Sequence, residues 1–302
     1  MDKERGKPTV SVAMSSYNGE QYIADQIESI LSQKDVVVDL VVRDDGSKDH
    51  TRDILRKYAA DKKLTLIEGE NVGYIKSFME ALFACGDSEY YAFADQDDIW
   101  FDDKLIKTIK AMGSEDEPHL GFCNSYFTDE DLNIINNGYP DNYKLPEKEM
   151  VFCSVVASGY LVVMNNSLVR LLRRVEDNIP IGHDVWVGAV AMYFGRITYL
   201  KDRLVYHRRL KNSVSRLPVT KLLKNRMDSL FHDNGKNIEC AILMLDNYKD
   251  LLTEDEISFL TTVRDYRMSR SNKVKLLRNK KIYYSMGYGR LTPKIKILLN
   301  RF

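Results

Sequence analysis

Cysteine is scarce in this chain and widely scattered. Cys85, Cys123, Cys153 and Cys240 are the four among 302 residues, and no two form a CxxC pair. That argues against a zinc site or a disulfide frame and for reduced, mostly buried thiols in a cytosolic protein. Long apolar runs are missing as well: none approaches the roughly 18 residues that a membrane span requires. The opening MDKERGKPTVSV has neither an apolar h-region nor a cleavage site, so export is not expected. No internal repeat or low-complexity segment is present. Acid is almost absent from one end. Between Arg264 and Phe302, twelve Lys or Arg are opposed by Asp265 alone. The formal net charge of zero therefore hides a tail near +11 and a remainder near −11. Such a split implies two functional regions, one of them suited to a polyanion or an anionic surface.

What is present is ordinary soluble material, 44% hydrophobic and 29% charged, enough for one large domain and an appendage. The first 112 residues alternate strand and helix patterns. TVSVAM (9–14), VVVDLVVR (36–43), LTLI (64–67) and YYAFA (90–94) read as strands. Between them, Ile23, Ile27, Ile30 and Leu31, and then Ile75, Phe78, Met79, Leu82 and Phe83, recur at helical spacing. Asn18 with Gln21 has capping-box spacing ahead of the first helix. The alternation predicts an α/β fold, a mostly parallel sheet covered by helices. Beyond Met112 the pattern is irregular. A strand is expected at 120–127, a strand entering a helix at 157–175, a helix at 182–195, two short strands at ITYL and RLVYHRR, and helices from about residue 217. The expected division is residues 1–216 as the main domain, regular over 1–112 and irregular over 113–216, and 217–302 as a basic helical extension.

In such sheets ligands gather beyond the carboxyl ends of the strands. SSYNGE, DDGSKD, EGENVGY and DQDDIW follow the four strands in turn, so four polar clusters fall on one edge. Asp95 and Asp97, one residue apart, suit a hard divalent cation with oxygen ligands. A solvated acidic turn is the alternative. Asp44 can meet a pyrimidine N–H or ribose hydroxyls, or simply close a βα turn with Ser47. Tyr17 can stack on a base or pack internally. Asp184, at the start of a helix, is either a general base or an N-cap.

Together VSVAMSSYNGEQYI, VVRDDGSKDHT, ENVGYIKSF and FADQDDIW resemble the inverting family-2 glycosyltransferases of GT-A fold, in this order and spacing, over residues 9–112 and more weakly to about 215. The DQDDIW form is similar to bacterial rhamnosyltransferase-like enzymes of surface polysaccharide synthesis. The resemblance implies that Ser15, Tyr17 and Asp44 contact the nucleoside of a dTDP- or UDP-sugar. It implies that Asn71, Gly73 and Lys76 lie along the donor, that Asp95 faces ribose and metal, and that Asp97 is the principal ligand of Mn²⁺ or Mg²⁺. Asp184 becomes the base, and Trp186 an acceptor platform or a core residue. Ser158 and Gly159 border the acceptor pocket or belong to a plain core strand. VYHRRLKNSVS departs from the family pattern, with His207 where Arg is usual and Arg209 where His is usual. His207 is then a third metal ligand or a diphosphate contact, and Arg208 or Arg209 a phosphate clamp.

The expected activity is transfer of a sugar, L-rhamnose from dTDP-rhamnose as first choice, to a saccharide acceptor that is lipid-linked, on the cytoplasmic side. The rival readings are a UDP-hexose donor, an aspartyl-nucleophile phosphatase, or a non-catalytic nucleotide-sugar-binding module. The basic tail, with Leu276, Leu277, Ile282 and Ile297 among its bases, has the composition of a helix lying on an anionic membrane. Nucleic-acid binding and docking on the acidic domain are its alternatives; no nucleic-acid partner is expected.

Overall fold

The computed structural model describes residues 6–113, 116–175, 179–209, 235–283 and 291–302, with Leu291 described in its backbone only. The chain divides into two compact units. One comprises Met1–Asp141, Ala157–Arg173 and Gly195–Leu210; the other comprises Asn142–Val156, Arg174–Phe194 and Lys211–Phe302.

The first unit holds a nine-stranded sheet. Its elements are β1 (Thr9–Ser16), α1 (Ile23–Leu31), β2 (Val37–Asp44), α2 (Thr51–Ala60), β3 (Thr65–Glu68), α3 (Tyr74–Ala84) and β4 (Tyr90–Ala94). There follow β5 (Ile99–Trp100), α4 (Lys104–Met112), β6 (His119–Thr128), β7 (Ile134–Asn137), β8 (Val162–Asn165), α5 (Asn166–Leu172) and β9 (Arg196–Arg208). The strand order is β3-β2-β1-β4-β8-β6-β9-β5, with β7 beside β6. β3, β2, β1 and β4 run parallel, as the alternation predicts, and β9 runs parallel to β6. β8 pairs antiparallel with both β4 and β6, so it turns the sheet from a parallel half into a mixed one. Measured by paired residues, most of the sheet is parallel.

Burial explains why the first strands read as nearly continuous apolar runs. Val10, Val12, Ala13 and Met14 of β1 are fully enclosed, on both faces of the sheet. Ile23, Ile27 and Ile30 of α1 are fully enclosed too, each stabilising the fold by about 2 kcal/mol. Phe78 of α3 meets Phe93 of β4 edge-on at 5.5 Å. Two local expectations fail. The spacing of Asn18 and Gln21 does not form a capping box, because α1 begins only at Ile23 and Asn18 adopts a left-handed φ of 50°. Its Oδ1 accepts the Lys48 N–H at 2.8 Å instead, tying the loop after β1 to the loop after β2. The two short strands expected near 197–208 are one strand, β9, which stays in register with β6 by shifting around Asn124.

The second unit is helical. It contains a 3-10 turn at Lys148–Cys153, α6 (His183–Phe194), α7 (Lys236–Asn247), α8 (Glu254–Asp265), α9 (Arg270–Arg278) and α10 (Leu291–Leu298). Trp186, Tyr248, Leu260 and Tyr266 are fully buried in it. Thr253 and Glu256 form a reciprocal capping box at the start of α8, and Lys148 Nζ reaches Glu256 Oε1 at 2.6 Å. The helical expectation for 217–234 lies outside the described residues. Among the described residues no helix is long and apolar enough to cross a membrane.

One glycine controls how the strand-end loops meet. Gly46 has φ +87°, and a Cβ there would lie 2.9 Å from the backbone nitrogen of Asn71. Gly46→Ala therefore incurs both left-handed strain and a clash that only backbone movement relieves. It should lower stability by about 1–3 kcal/mol in urea unfolding. A loss below about 0.5 kcal/mol would show that the two loops are not in register contact.

Candidate functional site

The loops after β1, β2, β3 and β4 are stitched to one another along the carboxyl edge of the parallel strands. Asn18 N–H donates to Ser47 Oγ, Gly19 N–H to Thr51 Oγ1, and His50 N–H to Glu20 Oε2. Gln96 grips Tyr17 at two points: its Oε1 accepts the Tyr17 N–H at 2.8 Å, and its Nε2 donates to the Tyr17 carbonyl at 3.0 Å. Gln96 lies so close over Gly19 that any side chain there would collide with it. Gln96 is a positioning residue that its sequence neighbourhood, crowded with aspartates, does not advertise.

Asp44 and Asp45 are both buried, and each serves a different loop. Asp44 Oδ1 accepts from the N–H groups of Gly46 and Ser47 and from Arg52 Nε. Its Oδ2 accepts from Ser16 Oγ and Ser47 Oγ. Burial alone would raise its pKa, but the Ser47 and Arg52 hydrogen bonds win and hold it below the usual carboxylate range. These bonds shape the loop after β2 and tie it to Arg52 of α2. Asp45 accepts from the N–H groups of Val72 and Gly73 and from Arg43, and Arg43 also binds Glu80 and the Glu70 carbonyl. Thus the Asn71–Gly73 segment hangs from Asp45.

The three aspartates after β4 separate by depth. Asp98 is fully buried, whereas Asp95 and Asp97 are half-buried. Asp98 Oδ1 takes His207 Nδ1 at 2.8 Å, from the end of β9. Tyr160 stacks flat on the same imidazole, with centroids 4.2 Å apart and planes 3° from parallel. Arg208 Nη1 donates to the Asp97 carbonyl at 3.0 Å, and its Nη2 lies 3.5 Å from Asp25 Oδ2. Ligand atoms of Asp95, Asp98 and His207 all lie within 4.8 Å of one another. Asp97, the expected principal ligand, is outside that set. Asp98 Oδ2 is a buried acceptor with no hydrogen-bond donor, so the cluster is short of positive charge, a deficit that a divalent cation fits. Two carboxylates and an imidazole suit Mn²⁺ or Mg²⁺, and a carboxylate on Nδ1 is the usual way a ligating histidine is held with Nε2 available.

The charges perturb one another. Burial works against protonation of His207, yet the charge and hydrogen bond of Asp98, with Asp95 and Asp97, push its pKa up to about 9. Burial, then the charge of Asp98, pushes Asp97 up to about 6. Lys104 is entirely buried with Nζ 3.3 Å from the Trp100 ring centroid and without a hydrogen-bond partner. Burial depresses its pKa to about 8, against the pull of Cys123, Asp98 and Asp95. Lys104 follows Asp98 by six positions and Tyr160 adjoins Gly159, but local spacing does not show that one is buried against Trp100 and the other stacked on His207.

The remaining candidates fall as follows. Ser15 Oγ is 2.7 Å from Ser77 Oγ of α3, and Tyr17 is exposed at the loop tip. Asn71 is exposed, Gly73 has φ +85° at the start of α3, and Lys76 is 3.8 Å from Glu80. Ser158 is hydrogen-bonded to the Tyr139 hydroxyl, and Gly159 is buried in a 3-10 turn next to Tyr160. Arg209 lies over the Phe127 ring at 3.8 Å. In the second unit, Asp184 is half-buried in the first turn of α6, and its Oδ1 accepts its neighbour's N–H, that of Val185, at 2.8 Å. Trp186 corrects the expectation of an acceptor platform: it is fully buried near Tyr248 and is a core residue.

Comparison with known proteins supplies independent information. The sequence model of glycosyl transferase family 2 matches residues 11–164. An uncharacterized glycosyltransferase of Methanocaldococcus jannaschii is 32% identical over 196 residues, 62% of this chain and 67% of its own length. A dTDP-rhamnosyl transferase, RfbG of Shigella flexneri, is 32% identical over 105 residues, 33% of this chain and 36% of its own. The chain thus spans about two thirds or less of the length of these relatives. Among solved structures, S. aureus TarS 1-349 in complex with UDP-GlcNAc aligns with a TM-score of 0.56 at 18% identity, over 91% of this chain and 77% of that one. A mannosyltransferase from Pyrobaculum calidifontis in complex with GDP-Man and Mn²⁺ aligns at 0.50 and 15% identity, over 98% and 88%. At these identities the structural likeness carries the fold.

The charge coupling predicts a pH signature in metal-free protein. His207 is raised from 6.5 to about 9, so its contribution is complete below about pH 6.5 and lost as pH rises through about 9. Asp97, raised from 3.8 to about 6, disfavours folding once ionised, so stability also falls across that lower window. In a chelator, the melting temperature should decline from about pH 4 to 9 on account of this cluster. Asp98→Asn should flatten the limb between about pH 6.5 and 9. An unchanged upper limb in that variant would refute the His207–Asp98 coupling.

Proposed function

The chain belongs to glycosyl transferase family 2, and from that premise we propose that it transfers a sugar, with inversion at the anomeric carbon, from a nucleoside diphosphate donor to a saccharide acceptor. The observation that carries this reading is the Asp95–Asp98–His207 cluster at the carboxyl edge of the parallel strands. It lies on the same edge as the exposed Tyr17 and Asn71 and the partly exposed Lys76, groups suited to a base, a ribose and a diphosphate.

In this reading Asp95 and Asp98 would offer carboxylate oxygens and His207 its Nε2 to Mn²⁺ or Mg²⁺, Asp98 also holding the imidazole through its other oxygen, and the half-buried Asp97 would join them as a further ligand. The cation, when bound, neutralises the charge that develops on the departing diphosphate. Lys76 adds a positive charge on the donor side, and Tyr17, held by Gln96, packs against the nucleoside. Asp184 accepts the proton of the acceptor hydroxyl as the new C–O bond forms and the bond to phosphate breaks. Ser158 and Gly159 border the acceptor.

For the donor, the RfbG name supports L-rhamnose from dTDP-rhamnose, and the UDP-GlcNAc bound to TarS supports a UDP-sugar. Thermal-shift screening of dTDP-, UDP- and GDP-sugars with metal separates them. We read the acceptor as lipid-linked, as surface polysaccharide synthesis would require, and the enzyme as acting at the cytoplasmic face of a membrane, with residues 217–302 as its basic extension. A phosphatase with an aspartyl nucleophile would release inorganic phosphate where the transferase releases nucleoside diphosphate, and a binding module would release neither.

Two substitutions test the roles. Asp97→Asn removes a hard anionic ligand and should abolish the Mn²⁺-dependent thermal stabilisation given by nucleoside diphosphate. An undiminished metal-dependent shift would leave Asp95, Asp98 and His207 as the ligands and remove Asp97 from the set. Asp184→Asn keeps shape and capping ability but cannot take the proton. Turnover should fall about 10²-fold or more, with donor affinity nearly unchanged. Activity within about threefold of the parent would place the base elsewhere.

A further inference from the structure

Helices α9 and α10 are locked as an antiparallel pair by lysines that each cap the other helix. Lys273 Nζ donates to the Leu298 carbonyl and Asn300 Oδ1, at 2.8 and 2.9 Å. Lys294 Nζ donates to the carbonyls of Leu276 and Asn279. Each ammonium thus sits on the negative end of its neighbour, where orphaned carbonyls need donors. Leu276, Ile282 and Ile297 are fully buried in this arrangement. They are core residues and cannot enter a bilayer, which corrects the apolar set expected from the sequence.

A different apolar set is left outside. Ile295, Leu298 and Leu299 are 41%, 57% and 45% exposed, and their i, i+3, i+4 spacing puts them on one face of the last helix and its end. On α9, Val274 is also exposed, and Lys275 and Arg278 are exposed one and four residues further on. Arg270, Lys280 and Arg301 add exposed positive charge to the same segment, whose only acidic residue, Asp265, is bound to Arg264. Exposed leucine and isoleucine are a liability on a surface that stays wet, and a segment with such an excess of exposed bases repels a second copy of itself. An anionic bilayer satisfies both features at once, taking the aliphatic side chains below the headgroups and the bases at their level.

We propose that the stripe Ile295–Leu298–Leu299, together with the exposed bases Lys275 and Arg278 of the paired helix, is the surface by which this chain docks on an anionic lipid bilayer. It gives the lipid-linked acceptor reading a physical place, and rests on that reading for its purpose but not for its existence.

The test is co-sedimentation of the full-length protein with phosphatidylglycerol-containing phosphatidylcholine vesicles, against vesicles of phosphatidylcholine alone. Binding is expected only with the anionic lipid and should weaken steeply with salt. The triple variant Ile295→Ser, Leu298→Ser, Leu299→Ser alters only exposed positions and should bind at least about tenfold more weakly. Lys275→Gln with Arg278→Gln should cost about fivefold per base at low salt. Both variants should keep the parent's melting temperature and its slow release of nucleoside diphosphate from donor in the absence of vesicles. Undiminished vesicle binding by the triple variant overturns the proposal. So does equal binding to neutral vesicles, or a parent dimer in sedimentation that the triple variant dissolves, since the occupant is then a second copy. Retention of duplex DNA in place of vesicles overturns it as well. Vesicle binding without any donor turnover would leave this surface standing and reject the transferase reading.

Discussion

Burying negative charge is the constraint around which the sheet edge is built. Asp44, Asp45 and Asp98 are each almost completely enclosed, and an unpaired carboxylate so placed would cost several kcal/mol. Asp44 is matched by Arg52 from α2 and Asp98 by His207 from β9, whereas Asp45 pairs with Arg43, two residues before it, and takes the N–H groups of Val72 and Gly73 from the loop after β3. Because each takes at least one partner from another segment, neutralising the charge also fixes where two segments meet. The β2 loop is set against Gly69–Gly73 in this way, and β9 against the loop after β4.

A division of labour follows from depth. Asp44 and Asp45, both fully buried, have their oxygens committed to backbone amides, hydroxyls and cations, so they define loop shape. The half-exposed groups, Asp95, Asp97, Tyr17, Asn71 and Lys76, are held in position by those frames and keep capacity to spare. Gln96 extends the same logic with an uncharged side chain, since its two hydrogen bonds to the Tyr17 backbone join the first and fourth strand ends. Where the carboxylates converge on His207, one acceptor remains without a donor. That residual deficit is what distinguishes the cluster from a merely structural ion-pair network.

The helical unit shows the opposite electrostatic problem. Its final segment carries bases with almost no acid to oppose them, and the helices spend two lysines on backbone carbonyls. Those ammonium groups are consumed internally, as the lowered pKa that burial gives Lys294 indicates. Charge left at the surface therefore cannot be counted from the sequence. The same holds for the aliphatic residues, since Leu276, Ile282 and Ile297 form the core while Ile295, Leu298 and Leu299 stay exposed.

Periodicity and strand-end chemistry were legible in the chain itself. Val10, Val12 and Met14, or Phe78, Met79 and Leu82, can be placed from spacing alone because a strand and a helix each repeat within a few residues. The parallel half of the sheet and the gathering of four polar loops on one edge follow from that. Other features depended on residues far apart. β9 brings His207 to Asp98, 109 positions away in sequence, and the turn at Gly159–Leu161 brings Tyr160 onto the same ring. Burial of Trp186, Leu276 and Ile297, and exposure of Leu298, were equally invisible, since an apolar residue fits a core and a docking face alike. Local spacing fixes which side of an element a residue is on; only the packing of elements decides what that side meets.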